Sequence, residues 1–215
     1  MKIRAILFDL DGTLVDQFHA IHQAFSKTLQ VMGFPAPSFE RVKRAVGGAS
    51  DSTMVKLIGP ERAEEAVEIL RPIFEKEMFN GLHSLPGVVP GLSLLHEKGF
   101  ACAVLTNKYG PHARAACDHL GLNEYLSFIL GANDTEWKKP NPKLTKLALN
   151  KLGFSETETI YVGDSPYDFE TAKNAGLPCH LIATGTHSIR ELSALQPEKV
   201  YQDFESMVCS LTQGC

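Results

Sequence analysis

The sequence predicts an α/β fold, a doubly wound, Rossmann-like parallel sheet with an all-helical domain inserted into it. Short apolar runs of strand length alternate with helical patterns, the order expected of a parallel sheet covered by helices. These runs are almost continuously hydrophobic, which is typical of strands that are buried on both faces. One stretch near the N-terminus interrupts the alternation and contains only helical patterns, so we expect it to be a separate helical insertion.

Six segments are candidate strands, and the helices between them have a recurring pattern. The candidate strands are residues 3–8, 101–105, 128–130, 160–162, 180–182 and an edge strand near Val200. Proline stands where a helix would begin and glycine where it would end in three pairs: Pro111 and Gly121, Pro142 and Gly153, Pro166 and Gly176. Proline at a first helical position costs no hydrogen bond, and glycine readily adopts the left-handed conformation that ends a helix. This repetition strongly favours the doubly wound arrangement.

Residues 16–84 form the stretch without a convincing strand. One helical stripe within it comprises Ala63, Ala66, Val67, Leu70, Phe74 and Met78. Such a stripe indicates helix–helix packing, although Pro72 is expected to kink this helix. We therefore predict a core domain of residues 1–15 and 85–215 and a helical cap of residues 16–84.

Composition excludes several functional classes. The 215 residues carry a formal net charge of −4, which gives no electrostatic reason to expect nucleic acid or an anionic membrane as a partner. The longest apolar stretch, residues 100–105, is too short to cross a bilayer. The five cysteines lack the paired spacing of a metal site, so a reducing cytoplasm without disulfides is expected.

Polar residues follow the candidate strands, where ligands bind in open α/β sheets. Taken along the chain they are Asp9, Asp11, Gly12, Thr106, Asn107, Lys139, Asp164 and Asp168. Carboxylates gathered at one sheet edge repel one another, and a hard cation with oxygen ligands relieves that repulsion. Mg²⁺ fits because it binds few protein carboxylates together with water and a substrate phosphate oxygen, and Mn²⁺ is an alternative.

Each of these residues has a chemical use at such a site. Asp9 and Asp164 can each give the metal one side-chain oxygen, and Asp11 can give its backbone carbonyl. Lys139 can pair with Asp9 and with a phosphoryl oxygen. The hydroxyl of Thr106 and the backbone amide of Asn107 can bind the same phosphate. The sequence therefore predicts positive charge where a phosphoryl transition state needs it.

The two acids at Asp9 and Asp11 cannot both point at one ligand from a regular strand, because alternate residues face opposite sides. The strand is therefore expected to end near Asp9, with Gly12 allowing the chain to turn. An ionised Asp9 could attack phosphorus as a nucleophile. Asp11 could protonate the leaving alcohol and later accept a proton from water, if the metal does not compensate its side-chain charge.

These motifs resemble those of the haloacid dehalogenase-like hydrolase superfamily, in particular its capped phosphatases. The first motif runs from Asp9 to Val15, the second is Thr106 with Asn107, the third is Lys139 with Pro140, and the fourth joins Gly163–Asp164–Ser165 to Asp168. The four stand in the family's order and cover nearly the whole chain. The resemblance implies a Rossmann-like core, a mobile cap and Mg²⁺-dependent phosphoryl chemistry through an aspartyl-phosphate.

The resemblance also implies individual roles. Asp9 would be the nucleophile and Asp11 the general acid and base. Lys139 would stabilise charge, and Thr106, Asn107 and Gly12 would lie at the phosphate. The resemblance gives Asp164 as a metal ligand and Asp168 as its support. Gly47 and Gly48 resemble a substrate loop of the cap.

Two departures from the family pattern concern the cap. Gln17 stands where many relatives have serine, and the loop at Gly47–Gly48 lacks the arginine of β-phosphoglucomutase-like relatives. The leading hypothesis is a phosphatase for a small phosphorylated metabolite, with phosphoglycolate as the first candidate. A phosphosugar mutase or pyrophosphatase on the same site is the enzymatic alternative, and a catalytically silent binding or regulatory protein is the other. The state expected is a monomer or a homodimer in the cytoplasm.

Overall fold

A six-stranded parallel sheet forms the centre of the protein in the computed structural model, which describes residues 2–212. The strand order is β5-β4-β1-β6-β7-β8, and every neighbouring pair is parallel. The strands are β1 Ala5–Phe8, β4 Ala101–Tyr109, β5 Ile129–Ala132, β6 Thr159–Gly163, β7 Cys179–Ile182 and β8 Lys199–Tyr201. The chain winds outward from β1 in both directions, so the predicted doubly wound α/β class is confirmed. Ligands bind at such a reversal of strand order, here between β4 and β6 at the end of β1.

Helices cover both faces of this sheet. They are α5 Val88–Glu97, α6 Gly110–His119, α7 Pro142–Leu152, α8 Pro166–Ala175, α9 Ile189–Ala194 and α10 Phe204–Thr212. Alternate residues of β1 point to opposite faces. Ile6 and Phe8 join the cluster that contains Phe204 of α10, whereas Leu7 joins the cluster that contains Leu144 of α7. Both faces of the strand are therefore buried, which is why its sequence is hydrophobic without alternation.

Four further helices lie between β1 and α5 in sequence. They are α1 Phe18–Val31, α2 Phe39–Ala45, α3 Ser50–Ile58 and α4 Ala63–Glu77. They have a hydrophobic cluster of their own, which includes Phe25, Met54 and Leu70. Helix α4 continues through Pro72 without interruption, so the expected kink does not end it. The apolar stripe of α4 packs as predicted, because Ala66, Leu70 and Phe74 are buried in this cluster.

The connection between the two parts contains two short strands that the sequence did not reveal. β2 Val15–Asp16 pairs antiparallel with β3 His83–Ser84. Two-residue strands are too short to produce a recognisable hydrophobic pattern. They lie at the two predicted ends of the insertion, residues 16 and 84. Close to this junction the buried Gln17 donates its side-chain N–H to the backbone carbonyl of Met78. The predicted division into residues 1–15 with 85–215 and residues 16–84 stays a prediction, supported by the separate hydrophobic cluster.

The cysteines differ in their state. Cys102, Cys117 and Cys179 are buried, free thiols. Cys209 is disulfide-bonded, so the expectation that the chain lacks disulfides is wrong for this residue. Its position in the C-terminal helix, away from any paired motif, gave no sequence signal of a bridge. Among residues 2–212, no helix has both the length and the apolar character needed to cross a bilayer.

Candidate active site

Asp9 lies directly beyond β1, at the carboxyl edge of the sheet. β1 ends at Phe8, and the backbone N–H of Asp9 donates to the carbonyl of Val162 at 2.8 Å. Gly12 has φ +89°, a conformation that side chains rarely adopt, and a Cβ there would lie 2.8 Å from Asp164 Oδ2. Glycine at this position lets the chain turn and lets the first motif approach the acidic residue after β6.

Lys139 is the cation at the centre of the site. Its side chain is only 1% exposed. Its Nζ lies 2.6 Å from Asp9 Oδ1, 2.8 Å from Asp168 Oδ1 and 3.1 Å from the hydroxyl of Tyr161. That hydroxyl donates to the carbonyl of Leu105 at 3.0 Å. Two carboxylates and one phenol therefore hold the ammonium group in a single position.

The loop that carries Lys139 is fixed by the side chain of Asn107. The Asn107 Oδ1 accepts the backbone N–H of Lys139 at 2.9 Å, and its Nδ2 donates to the Lys139 carbonyl at 3.1 Å. The same Nδ2 lies 3.3 Å from the carbonyl of Gly47 in the helical insertion. Sequence reasoning gave Asn107 a role at the phosphate through its backbone amide. Its side chain is here a structural link between the second motif, the third motif and the Gly47–Gly48 loop.

Asp168 supports the site from the first turn of α8. Its Oδ2 accepts hydrogen bonds from the backbone N–H groups of Asp164 and Ser165 at 3.2 and 3.1 Å and from Ser165 Oγ at 2.5 Å. These contacts form a capping box at the start of the helix. A Cβ on Gly163 would lie 2.2 Å from Asp168 Cγ, so only glycine leaves room for this carboxylate.

The acidic residues form a group that suits a hard divalent cation. Oxygens of Asp9, Asp164 and Asp168 lie within 4.8 Å of one another. Both oxygens of Asp168 are engaged, one with Lys139 and the other with the start of α8. Asp9 uses Oδ1 for Lys139, and Asp164 uses Oδ2 for the N–H and hydroxyl of Thr186. Asp9 and Asp164 thus each retain one oxygen for a metal, and an all-oxygen donor set fits Mg²⁺ or Mn²⁺.

Burial changes the protonation of these groups. Burial raises the pKa of Asp9 to about 6, against the lowering effect of Lys139. Burial, with the charges of Asp168 and Asp9, raises the pKa of Asp164 well above its usual value. Burial alone would lower the pKa of Lys139, but Asp168 and Asp9 raise it above its usual value, so the lysine stays charged. A bound cation would favour both carboxylates in the ionised form that ligation requires.

The side chain of Asp11 is not part of the acidic group. Lys108 Nζ lies 3.1 and 3.0 Å from the two Asp11 oxygens, and both side chains are largely buried. The side chain of Asp11 therefore has a protein cation as its partner, and metal binding through its backbone carbonyl stays a prediction. Sequence reasoning gave Lys108 no role, because a lone lysine has no recognisable pattern.

Thr106 and the Gly47–Gly48 loop border the same space. Thr106 is buried, and its Oγ1 accepts the backbone N–H of Lys108 at 3.2 Å. A Cβ on Gly47 would lie 3.0 Å from the ring of Tyr167, and one on Gly48 would lie 3.1 Å from its hydroxyl. The two glycines therefore allow the helical insertion to lie close against the start of α8.

A cavity of about 160 Å³ separates the helical insertion from the sheet edge. Its lining includes Asp9, Asp11 and Thr106 from the sheet side and Gly47, Gly48 and Arg71 from the insertion. Arg71, Tyr161 and Thr186 are site residues that sequence reasoning missed. Tyr161 lies within an apolar strand, and Arg71 and Thr186 stand outside the four motifs, so no local pattern marked them.

Comparison with known sequences identifies the family of the chain. Residues 6–182 match the family model of haloacid dehalogenase-like hydrolases. The chain is 31% identical over 209 residues to the "probable phosphatase IndB" of Dickeya dadantii, covering 94% of this chain and 91% of the relative. It is 30% identical over 234 residues to a phosphoglycolate phosphatase of Salmonella typhi, covering 98% and 93%.

Solved structures support the same fold. A crystal structure of a predicted phosphoglycolate phosphatase from Haemophilus somnus 129pt superposes with a TM-score of 0.89 at 24% identity, covering 99% of both chains. A predicted phosphatase from Clostridium acetobutylicum superposes with a TM-score of 0.90 at 22% identity, covering 99% of this chain and all of the other. The family match over residues 6–182 and the two relatives named as phosphatases show that the chain is a phosphatase-type hydrolase that belongs to the haloacid dehalogenase-like family.

Proposed function

We propose that this protein hydrolyses a small phosphate monoester with Mg²⁺, through a phosphorylated Asp9. The observation that carries the proposal is the position of Asp9. Its Oδ1 is bound by Lys139, and its carboxylate offers an oxygen to the acidic group formed with Asp164 and Asp168 at the sheet edge. A bound Mg²⁺ would be held by Asp9, Asp164 and the backbone carbonyl of Asp11, and it would supply charge neutralisation between the nucleophile and the phosphoryl group.

The residues of the chain divide the reaction into two steps. Asp9 attacks phosphorus while the bond from phosphorus to the ester oxygen breaks, and the leaving oxygen takes a proton from Asp11. Asp11 then accepts a proton from a water molecule, whose oxygen attacks phosphorus and breaks the bond to Asp9. Lys139 stays charged throughout and offsets the negative charge that the phosphoryl oxygens carry in both transition states.

2-Phosphoglycolate is the first substrate to test. Several relatives are named phosphoglycolate phosphatase, and a cavity of about 160 Å³ suits a molecule of this size. The helical insertion forms one wall of that cavity, so its closure would exclude bulk water during the reaction. The proposed substrate class is therefore a short phosphorylated metabolite and not a large phosphoprotein or nucleic acid.

Phosphate release from a metabolite panel tests the proposed function. The purified chain is incubated with 2-phosphoglycolate, other phosphomonoesters, pyrophosphate and a sugar bisphosphate, each with Mg²⁺, Mn²⁺ or excess EDTA. We expect phosphate release from monoesters that EDTA abolishes and that either cation restores. Isomerised sugar phosphate without net release would indicate the mutase instead, and binding without any turnover would indicate a silent regulatory protein.

Asp11→Asn separates proton transfer from phosphoryl transfer. Asparagine cannot protonate a leaving alkoxide, so we expect turnover of alkyl phosphates to fall by about 10²- to 10³-fold. p-Nitrophenolate needs no proton to depart, so phosphorylation of Asp9 by p-nitrophenyl phosphate should be affected far less. Burst kinetics measure that step separately from hydrolysis of the phosphorylated enzyme. Equal losses in the phosphorylation step for both substrates would contradict an acid role for Asp11.

A further inference from the structure

Arg71 is a cation of the helical insertion that lines the cavity. It belongs to α4, and its guanidinium carbon lies 5.1 Å from the centre of the Tyr109 ring. Tyr109 is the last residue of β4, so Arg71 reaches from the insertion to the sheet edge. Contact with an aromatic ring holds a guanidinium group in place without occupying its N–H donors.

Arg71 has no carboxylate partner among residues 2–212. It makes no hydrogen bond and no ion pair with them. Glu75 follows it on the same helix at the i+4 position, a spacing at which ion pairs commonly form. The Glu75 carboxylate instead lies 3.4 Å from His112 Nε2, on α6 of the core. The N–H donors of Arg71 are therefore available to a ligand in the cavity.

The other charges of the cavity wall are already balanced. Within the described part of the chain, each carboxylate that lines the cavity is paired with a lysine. These pairs are Asp9 with Lys139, Asp11 with Lys108 and Asp51 with Lys138. Burial lowers the pKa of His112, so this lining residue adds no charge at neutral pH. Arg71 thus contributes a positive charge that no carboxylate of this wall offsets.

The proposed reaction directs the leaving group towards the wall that carries Arg71. Attack by Asp9 and departure of the ester oxygen occur in line, so the leaving group points away from Asp9. Asp9 lies at the sheet edge, and the helical insertion forms the opposite wall of the cavity. The neighbouring lining residues of α4 are apolar, namely Val67, Leu70 and Phe74. Attraction between Arg71 and an anion is screened less in such surroundings than in bulk water.

We infer that Arg71 binds a carboxylate on the leaving part of the substrate. A carboxylate suits this residue because the planar guanidinium group can donate to both of its oxygens. The inference rests on the proposed function and deepens it, because it assigns recognition of the leaving group to one side chain. It predicts a preference for phosphomonoesters that carry a carboxylate a few bonds from the ester oxygen. Arg71 thus determines specificity, while Lys139 acts at the phosphoryl group.

Matched substrate pairs test the assignment. 2-Phosphoglycolate and ethyl phosphate differ in a carboxylate against a methyl group, and 3-phosphoglycerate and glycerol 3-phosphate differ in a carboxylate against a hydroxymethyl group. We expect the wild type to prefer the carboxylate member of at least one pair in kcat/KM. In Arg71→Met that preference should fall by about 10-fold, the lower end of the range for charge-assisted hydrogen bonds, because Arg71 is exposed. Arg71→Lys keeps the charge without the two-pronged geometry and should retain part of the preference.

The ratio within a pair isolates the contact with the carboxylate, because any effect of the substitution on packing of the insertion acts on both members. Arg62→Met is the control and should leave the ratio unchanged. Arg62 precedes α4 and also lies over an aromatic ring, that of Phe34, but it does not line the cavity. Equal losses on both members in Arg71→Met, or an unchanged ratio, would overturn the inference. Wild-type turnover without preference for the carboxylate members would refute the inference alone, whereas no turnover of any phosphomonoester would refute the proposed function itself.

Discussion

Replacement of Asp9 by asparagine is expected to abolish phosphate release without weakening the fold. An amide cannot serve as the nucleophile, and loss of a nucleophile that acts with its neighbours as a unit lowers kcat by about 10⁴-fold or more. Burial raises the pKa of Asp9 to about 6. Ionisation of Asp9 at neutral pH therefore costs the metal-free fold some of its stability. Thermal unfolding of metal-free Asp9→Asn at pH 7.5 should therefore occur at a temperature no lower than in the wild type.

The difference in stability between Asp9→Asn and the wild type depends on pH. Because the folded pKa lies above the unfolded value of 3.8, the folded state binds the extra proton between pH 4 and 6. The contribution of Asp9 to the free energy of unfolding therefore falls as the pH rises through that window. Asparagine does not titrate, so Asp9→Asn lacks this decrease. Asp118→Asn, at an exposed carboxylate on α6, is the control and should retain full turnover. Residual activity of Asp9→Asn near the wild-type level would exclude Asp9 as the nucleophile.

Replacement of Lys139 by methionine is expected to damage both stability and catalysis. Asp9 and Asp168 would then face each other as buried carboxylates without the cation that binds both. Breaking such a buried pair costs about 3 to 5 kcal/mol. The melting temperature should fall by about 10 °C at pH 7.5. Turnover should fall by about 10³-fold, because the phosphoryl oxygens lose a fixed positive charge.

Acid should relieve part of this instability. Removal of Lys139 raises the pKa of Asp9 further, so protonation at pH 5 neutralises one of the two repelling groups. The difference in melting temperature between Lys139→Met and the wild type should therefore be smaller at pH 5 than at pH 7.5, measured without metal. Lys138→Met is the matched control, since the neighbouring Lys138–Asp51 pair is about half exposed and its loss should cost about 1 kcal/mol or less. An unchanged melting temperature for Lys139→Met would contradict the ion-pair argument.

The sheet and most of the candidate site could be predicted because both depend on short, local signals. Uninterrupted apolar runs such as β1 specify strands that are buried on both faces, and polar residues directly after them must lie at one edge. Asp9 and Asp164 lie close together because each directly follows a strand of the same parallel sheet. The proline at position 142 and the glycine at position 153 bound α7 as expected, since Pro142 is its first residue and Gly153 has a left-handed backbone.

The remaining features depend on contacts between distant segments. Tyr161 has the hydrophobic neighbours of any central strand residue, and only the fold brings its hydroxyl to Lys139. Arg71 reaches the cavity because of how α4 packs, which no spacing within the insertion encodes. The strands β2 and β3 pair across more than sixty intervening residues, and each is too short to carry a pattern. Long-range geometry of this kind becomes visible only in the assembled structure.

Asp168 connects the first turn of α8 to the position of the Lys139 ammonium group. One oxygen completes the hydrogen bonding at the start of α8, and the other holds Lys139. Unwinding of the first turn of this helix would therefore release the lysine from one of its two carboxylates. Amide exchange at Asp164 and Ser165, whose N–H groups bind this carboxylate, should therefore report how readily these contacts open. Fraying of this first turn would thus loosen the charged centre at the same time, and Asp9 and Tyr161 would be the contacts that Lys139 keeps.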